Sequence, residues 1–112
     1  MLRGEVWLVS LPGPRGSGPG YRRPAVIVSA DAFNESRIET VVVAIVTSNT
    51  GLAHAPGNLL LRKGEGGLTK TSVVNVSQLF TIDRAFLVKK MGDLTGARLL
   101  ALEAGLRLVL EL

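Results

Sequence analysis

The chain contains no cysteine and a single histidine, His54. Without thiols it can form neither a disulfide framework nor a thiolate metal site or nucleophile. One imidazole leaves a protein-only zinc site short of ligands. A serine hydrolase would need His54 as its base, and no Gly-x-Ser-x-Gly elbow occurs. His54 itself, within Leu-Ala-His-Ala-Pro, reads as an exposed loop residue. Aromatic side chains are few, and Trp7, Phe33, Phe80 and Phe86 are too scattered along the chain to suggest a stacking platform. Gly64-Glu65-Gly66-Gly67 lacks the lysine and helix of a phosphate-binding P-loop, and no dinucleotide fingerprint is present. The longest uninterrupted apolar run, Val41 to Val46, is far short of the roughly 20 residues a membrane helix needs. Met1 to Trp7 hold no apolar signal-peptide core. These absences lead to the expectation of a cytoplasmic protein with no cofactor and no metal.

What is present fits one domain spanning residues 1–112, with 46 % apolar residues to build its core. The formal charge is +4 and the pI about 10.1. Its distribution is uneven: residues 1–30 hold Arg3, Arg15, Arg22 and Arg23 against Glu5. Such a local field attracts polyanions and acidic protein tails alike, and composition does not choose between them.

Glu5 to Val9 reads as a first strand. Residues 12–20 follow, with four glycines and three prolines, a loop composition. Ala25 to Ser29 is a second strand, with Arg23 pushed toward an extended conformation by Pro24. Asp31 to Asn34 suggests a short helical turn. Thr40 to Val46 is a β-branched run that fits a strand buried on both faces. Asn58 to Arg62, Ser72 to Val76, Leu79 to Ile82 and, more weakly, Leu87 to Met91 complete the strands. After Gly92 the period changes: Thr95 can cap a helix whose stripe is Leu99, Leu102, Leu106 and Val109 or Leu110. Gly105 costs that helix roughly 1 kcal/mol unless a neighbouring backbone packs closely there. Many short strands and one amphipathic helix fit a small closed or half-closed β barrel with a helix over one side.

Three constellations can carry chemistry. The basic Gly/Pro-rich loop ending Arg22-Arg23-Pro24 is either a solvated surface hairpin or a site in which a pre-proline arginine offers forked donors to a phosphate. Thr47-Ser48-Asn49 either ends a strand or supplies polar groups at a barrel rim. Ser72 to Gln78 alternates polar and apolar residues, as a half-exposed strand does.

In order, these segments resemble the MazF/PemK family of toxins from bacterial toxin–antitoxin pairs. The matching pieces are Arg3 to Val9, Arg15-Gly16-Ser17, Arg22 to Ser29, Val43 to Asn49, Gly67 to Val74, Gln78 to Asp83 and the closing helix. The resemblance implies a mainly β fold, an SH3-like (CcdB/MazF-type) small barrel with a C-terminal α-helix, assembled as a homodimer. It also implies a sequence-selective, metal-independent endoribonuclease, an mRNA interferase cleaving single-stranded RNA. The RNA's own 2′-hydroxyl would attack, leaving a 2′,3′-cyclic phosphate and a 5′-hydroxyl. A MazE-like antitoxin with an acidic tail would neutralise it. Carried over by position, the catalytic residues are Arg23 and Thr47, and the substrate-binding residues include Ser17 and Gln78. Arg15, Arg22, Ser48 and Asn49 join them as further substrate-binding residues. Members commonly have Gly-Ser-Glu-Gln in the loop, whereas Ser17 here is followed by Gly18 and Pro19. A guanidinium is a poor general base, so the identity of the base stays open.

Two other readings remain: a gyrase poison like CcdB, and a non-catalytic RNA- or antitoxin-binding module. The first relies on a tryptophan near the C-terminal end, where this chain has Leu-Val-Leu-Glu-Leu. The second follows from the absent loop glutamate.

Overall fold

A computed structural model describes residues 1–11 and 21–112. Six strands form one sheet: β1 (Glu5–Leu11), β2 (Tyr21–Ile27), β3 (Thr40–Thr47), β4 (Leu59–Leu61), β5 (Ser72–Asp83) and β6 (Leu87–Asp93). Their order is β4-β5-β3-β2-β1-β6, and each neighbouring pair is antiparallel. Two α-helices, α1 (Asp31–Glu35) and α2 (Gly96–Leu110), and three short 3₁₀ turns complete the regular structure of the described residues. The result is the expected mainly β fold, a half-barrel sheet closed by a C-terminal helix.

Strand alternation sorts the apolar residues onto two faces. On one face Val6, Val26, Ala44, Val46, Val74 and Val76 pack against Leu102 and Leu106 of α2. On the other, Val9, Leu11, Ala25, Ile27, Val41, Val43, Ile45 and Ile82 form a second cluster. The β-branched run of β3 contributes to both, as its double burial requires. Arg3 ties the helix to the sheet: its Nε donates to the Val28 carbonyl at 2.8 Å, and its Nη1 meets Glu103 at 3.0 Å. Arg3 is therefore engaged within the fold, which reduces the local positive field expected for the first 30 residues.

Four expectations are corrected. The basic pair Arg22-Arg23 is not loop: β2 begins at Tyr21, because pairing with β1 holds Leu11 opposite Tyr21, Ser10 opposite Arg22 and Val9 opposite Arg23. Ser72 to Val76 and Leu79 to Ile82 are one strand, interrupted in pairing rather than in path. Ala44 faces Leu79 while Ile45 faces Asn75, so Val76, Ser77 and Gln78 bulge out of the β3 ladder. Thr95 occupies the N-cap position of α2, but its side chain makes no capping bond. The apolar stripe of α2 is buried through Leu102 and Leu106, whereas Val109 and Leu110 are exposed. Gly105 is buried and meets the backbone of Gly57, the close approach that its place in the helix calls for.

Candidate active site at the Arg23–Thr47 pocket

Proline in a central strand removes a ladder donor, and here that loss shapes the site. Val28 N–H donates to the Val42 carbonyl at 2.9 Å, so the two-residue alternation makes Val26 and Pro24 the other β2 positions whose backbones face β3. Val26 pairs with Ala44, which puts Pro24 opposite Val46. Pro24 has no N–H for the Val46 carbonyl. That carbonyl accepts instead from Nη2 of Arg23 at 3.3 Å. The guanidinium is thereby held beside the next residue of β3, Thr47.

Thr47 is half-buried at the end of β3. Its Oγ1 accepts from the backbone N–H of Asn49 at 3.2 Å. A hydroxyl oriented as an acceptor keeps its hydrogen to donate. The Asn49 side chain continues the turn, its Oδ1 accepting from Gly51 N at 3.2 Å.

Arg23 and Thr47 line one pocket of about 340 Å³ together with Arg22, Ser48 and Lys70. Thr69 and Ser72 add hydroxyls, and Leu8, Leu68 and Met91 form apolar walls. None of the pocket's described lining residues is acidic. Three cations and several hydroxyl donors around an opening of this size suit a phosphodiester.

Four of the sequence-predicted residues, Arg22, Arg23, Thr47 and Ser48, are thus brought together. Asn49 is engaged in the turn beside the pocket and does not line it. Gln78 is exposed on the β5 bulge, outside it. Arg15, Ser17 and the Gly18 departure lie outside the described residues. Lys70 and Thr69 were present in the Gly67 to Val74 segment but carried no assigned role; a lysine flanked by threonines just before a strand was the available signal. His54 is exposed at the end of the 3₁₀ turn Thr50–His54, away from the pocket. Trp7 packs on the core and donates from Nε1 to Glu5 at 2.9 Å, a structural role. Among the described residues, no three His, Asp or Glu side chains gather into a set that could hold a metal ion.

The chain thus joins a half-barrel sheet and a C-terminal helix to a pocket lined by three cations at the end of its central strands. The family described as PemK-like, MazF-like toxin of type II toxin–antitoxin system matches residues 2–110, and the chain belongs to that family. The endoribonuclease MazF2 of Mycobacterium bovis is 38 % identical over 110 residues, covering 98 % of this chain and 96 % of that protein. The solved Mycobacterium tuberculosis toxin MazF-mt6 superposes with a TM-score of 0.78 at 19 % identity, over 96 % of this chain and 97 % of that one. An endoribonuclease in complex with its cognate antitoxin, from a mycobacterial species, gives 0.77 at 24 % identity, over 100 % and 96 %.

Proposed function

We propose that this toxin is a metal-independent endoribonuclease that cleaves single-stranded RNA at the Arg23–Thr47 pocket and is neutralised by a cognate antitoxin. The observation that carries this reading is the guanidinium of Arg23, anchored on the Val46 carbonyl beside the Thr47 hydroxyl in a pocket whose described lining has no acid. In the reaction the substrate's 2′-oxygen bonds to phosphorus, the bond to the 5′-oxygen breaks, and a 2′,3′-cyclic phosphate and a 5′-hydroxyl form. Because RNA supplies the nucleophile, the protein must position the phosphate and stabilise charge on its non-bridging oxygens. Arg23 supplies a fixed positive fork and Thr47 a hydroxyl donor. Arg22 and Lys70 extend the charge along the entering strand. The antitoxin's acidic tail competes for the same cations, and the protein works in the cytoplasm.

Assembly as a homodimer belongs to the same proposal. Leu100 and Leu108, two turns apart on one side of α2, are 67 % and 63 % exposed, apolar side chains that a second copy can cover.

The test is cleavage of a mixed-sequence RNA with EDTA present, with end-mapping of the products. Cyclic-phosphate ends that disappear in Arg23→Ala are expected. Intact RNA, or activity unchanged in Arg23→Ala, would refute the reading. RNA binding without cleavage would instead indicate a binding module.

A further inference from the structure

Tyr21, Phe80 and Phe86 surround a second pocket of about 340 Å³, floored by Leu11 and Ile82 and rimmed by Thr81 and Asp83. The chain has one tryptophan, one tyrosine and three phenylalanines, and three of these side chains meet here. Each remains 40–42 % exposed, so they are not ordinary core residues. Their convergence follows from the curl of the sheet. Leu11, opposite Tyr21 in the β1–β2 register, packs in the same apolar cluster as Ile82 of β5. Phe86 closes the group from the 3₁₀ turn Arg84–Phe86, which Asp83 caps by accepting from Ala85 N at 2.8 Å.

We propose that this aromatic pocket is a nucleobase subsite that holds an unpaired base of the RNA whose phosphate lies at Arg23. The proposal rests on the endoribonuclease reading and deepens it. Tyr21 precedes Arg23 by two residues on β2, on the same face of the sheet and about 7 Å away along the strand. A strand of RNA bound at Arg23 therefore brings a neighbouring base within reach of the aromatic rings. Single-stranded RNA is held by stacking unpaired bases on exposed aromatic side chains, which any base can do. The polar rim narrows the occupant. One Asp83 oxygen caps the turn, and the other is an acceptor suited to an exocyclic amino group. A carboxylate there repels a phosphate, so the base enters rather than the backbone. An aliphatic protein side chain would have no use for that acceptor. The subsite thus favours cytosine, adenine or guanine over uracil.

The test uses the full-length protein and an oligoribonucleotide made non-cleavable by a 2′-deoxy sugar at the mapped scissile position. Binding is measured for the intact oligonucleotide and for single abasic replacements along it. Wild type is expected to show one position near the scissile bond where base removal weakens binding roughly 5- to 100-fold. Phe80→Leu and Phe86→Leu, with folding checked by thermal unfolding, should bind the intact oligonucleotide more weakly by a similar factor. In both variants the abasic penalty at that position should vanish. Asp83→Asn should reduce discrimination against uracil there. An abasic penalty that survives in both leucine variants overturns the proposal. So does a change confined to sedimentation, which would mean that a second copy covers the pocket. Wild type that neither binds nor cleaves RNA removes the endoribonuclease reading itself, whereas cleavage with a flat abasic scan removes the subsite alone.

Discussion

The Val46 carbonyl, which faces Pro24 and finds no N–H there, accepts a hydrogen bond from Arg23 Nη2 at 3.3 Å. Two adjacent residues thus cooperate: the proline vacates an acceptor and the arginine preceding it takes that acceptor as an anchor. Pro24→Ala restores an N–H that competes for Val46 and frees the guanidinium. Cleavage should fall roughly 10- to 100-fold, the scale of a small misplacement of a catalytic group. The melting temperature should hold or rise, because a ladder bond is gained. A variant as active as wild type would show that the anchor does not position Arg23.

Thr47 offers a separable test, because its hydroxyl accepts from Asn49 N and keeps its hydrogen to donate to a ligand. Thr47→Val keeps the shape and removes the Asn49 bond together with the donor; Thr47→Ser keeps the hydroxyl. A loss of about 10²-fold or more in kcat is expected for valine, the scale for removing one donor to a developing oxyanion. Serine should retain most activity. Equal losses in the two variants would point to the methyl group and its packing instead.

Lys70 lines the pocket beside Arg22 and Arg23. If it contacts a phosphate of the entering strand, Lys70→Ala should reduce the salt dependence of RNA binding by about 0.7 in the slope of log K against log salt. Affinity should fall for all sequences alike, since a phosphate contact carries no base information. An unchanged slope removes Lys70 from the interface.

Much of this architecture was legible in the sequence because β3 is a β-branched run and the period changes after Gly92, and both signals are local. The Arg23–Thr47 pairing came from the family resemblance, and its cause, the missing Pro24 N–H opposite Val46, became visible with the register in hand. The residues misjudged are those whose state is set by a neighbour. Arg22 and Arg23 look like loop beside so much glycine and proline, yet β1 supplies partners that extend β2 back to Tyr21. Val76 to Gln78 look like a gap between two strands because a bulge interrupts pairing without ending the strand. Tyr21, Phe80 and Phe86 seem unrelated until the sheet curls. Thr95 has the right residue type for a cap, but its side-chain bond is not made.

Gly105 is a place where local propensity and packing disagree. Alanine suits a helix interior better by roughly 1 kcal/mol, yet a Cβ at Gly105 would run into the Gly57 carbonyl. Two backbone segments would have to separate, and overpacking of this kind costs about 1–3 kcal/mol. Gly105→Ala should therefore lower the denaturation midpoint. A stabilised variant would mean that the turn carrying Gly57 yields easily.

Glu65 links the turn before β5 to α2, and it gives a pH-dependent prediction. Its carboxylate accepts from Arg98 Nε at 2.7 Å and Nη2 at 3.1 Å, and from Arg62 N at 2.8 Å. The Arg98 hydrogen bonds, followed by the Arg62 N–H, hold its pKa below the ordinary glutamate value. A carboxyl with a depressed pKa in the folded state contributes stability that is complete above the unfolded-state pKa. The contribution fades as pH falls through the folded-state pKa and the group takes its proton. Glu65→Gln keeps an acceptor for Arg62 N but loses the charge facing Arg98. Its melting temperature should be modestly below wild type at pH 7, because the pair is partly exposed and screened by solvent. The gap should narrow below the ordinary glutamate range and close in acid. A gap that stays constant down to pH 3 would assign the effect to packing rather than to the ion pair.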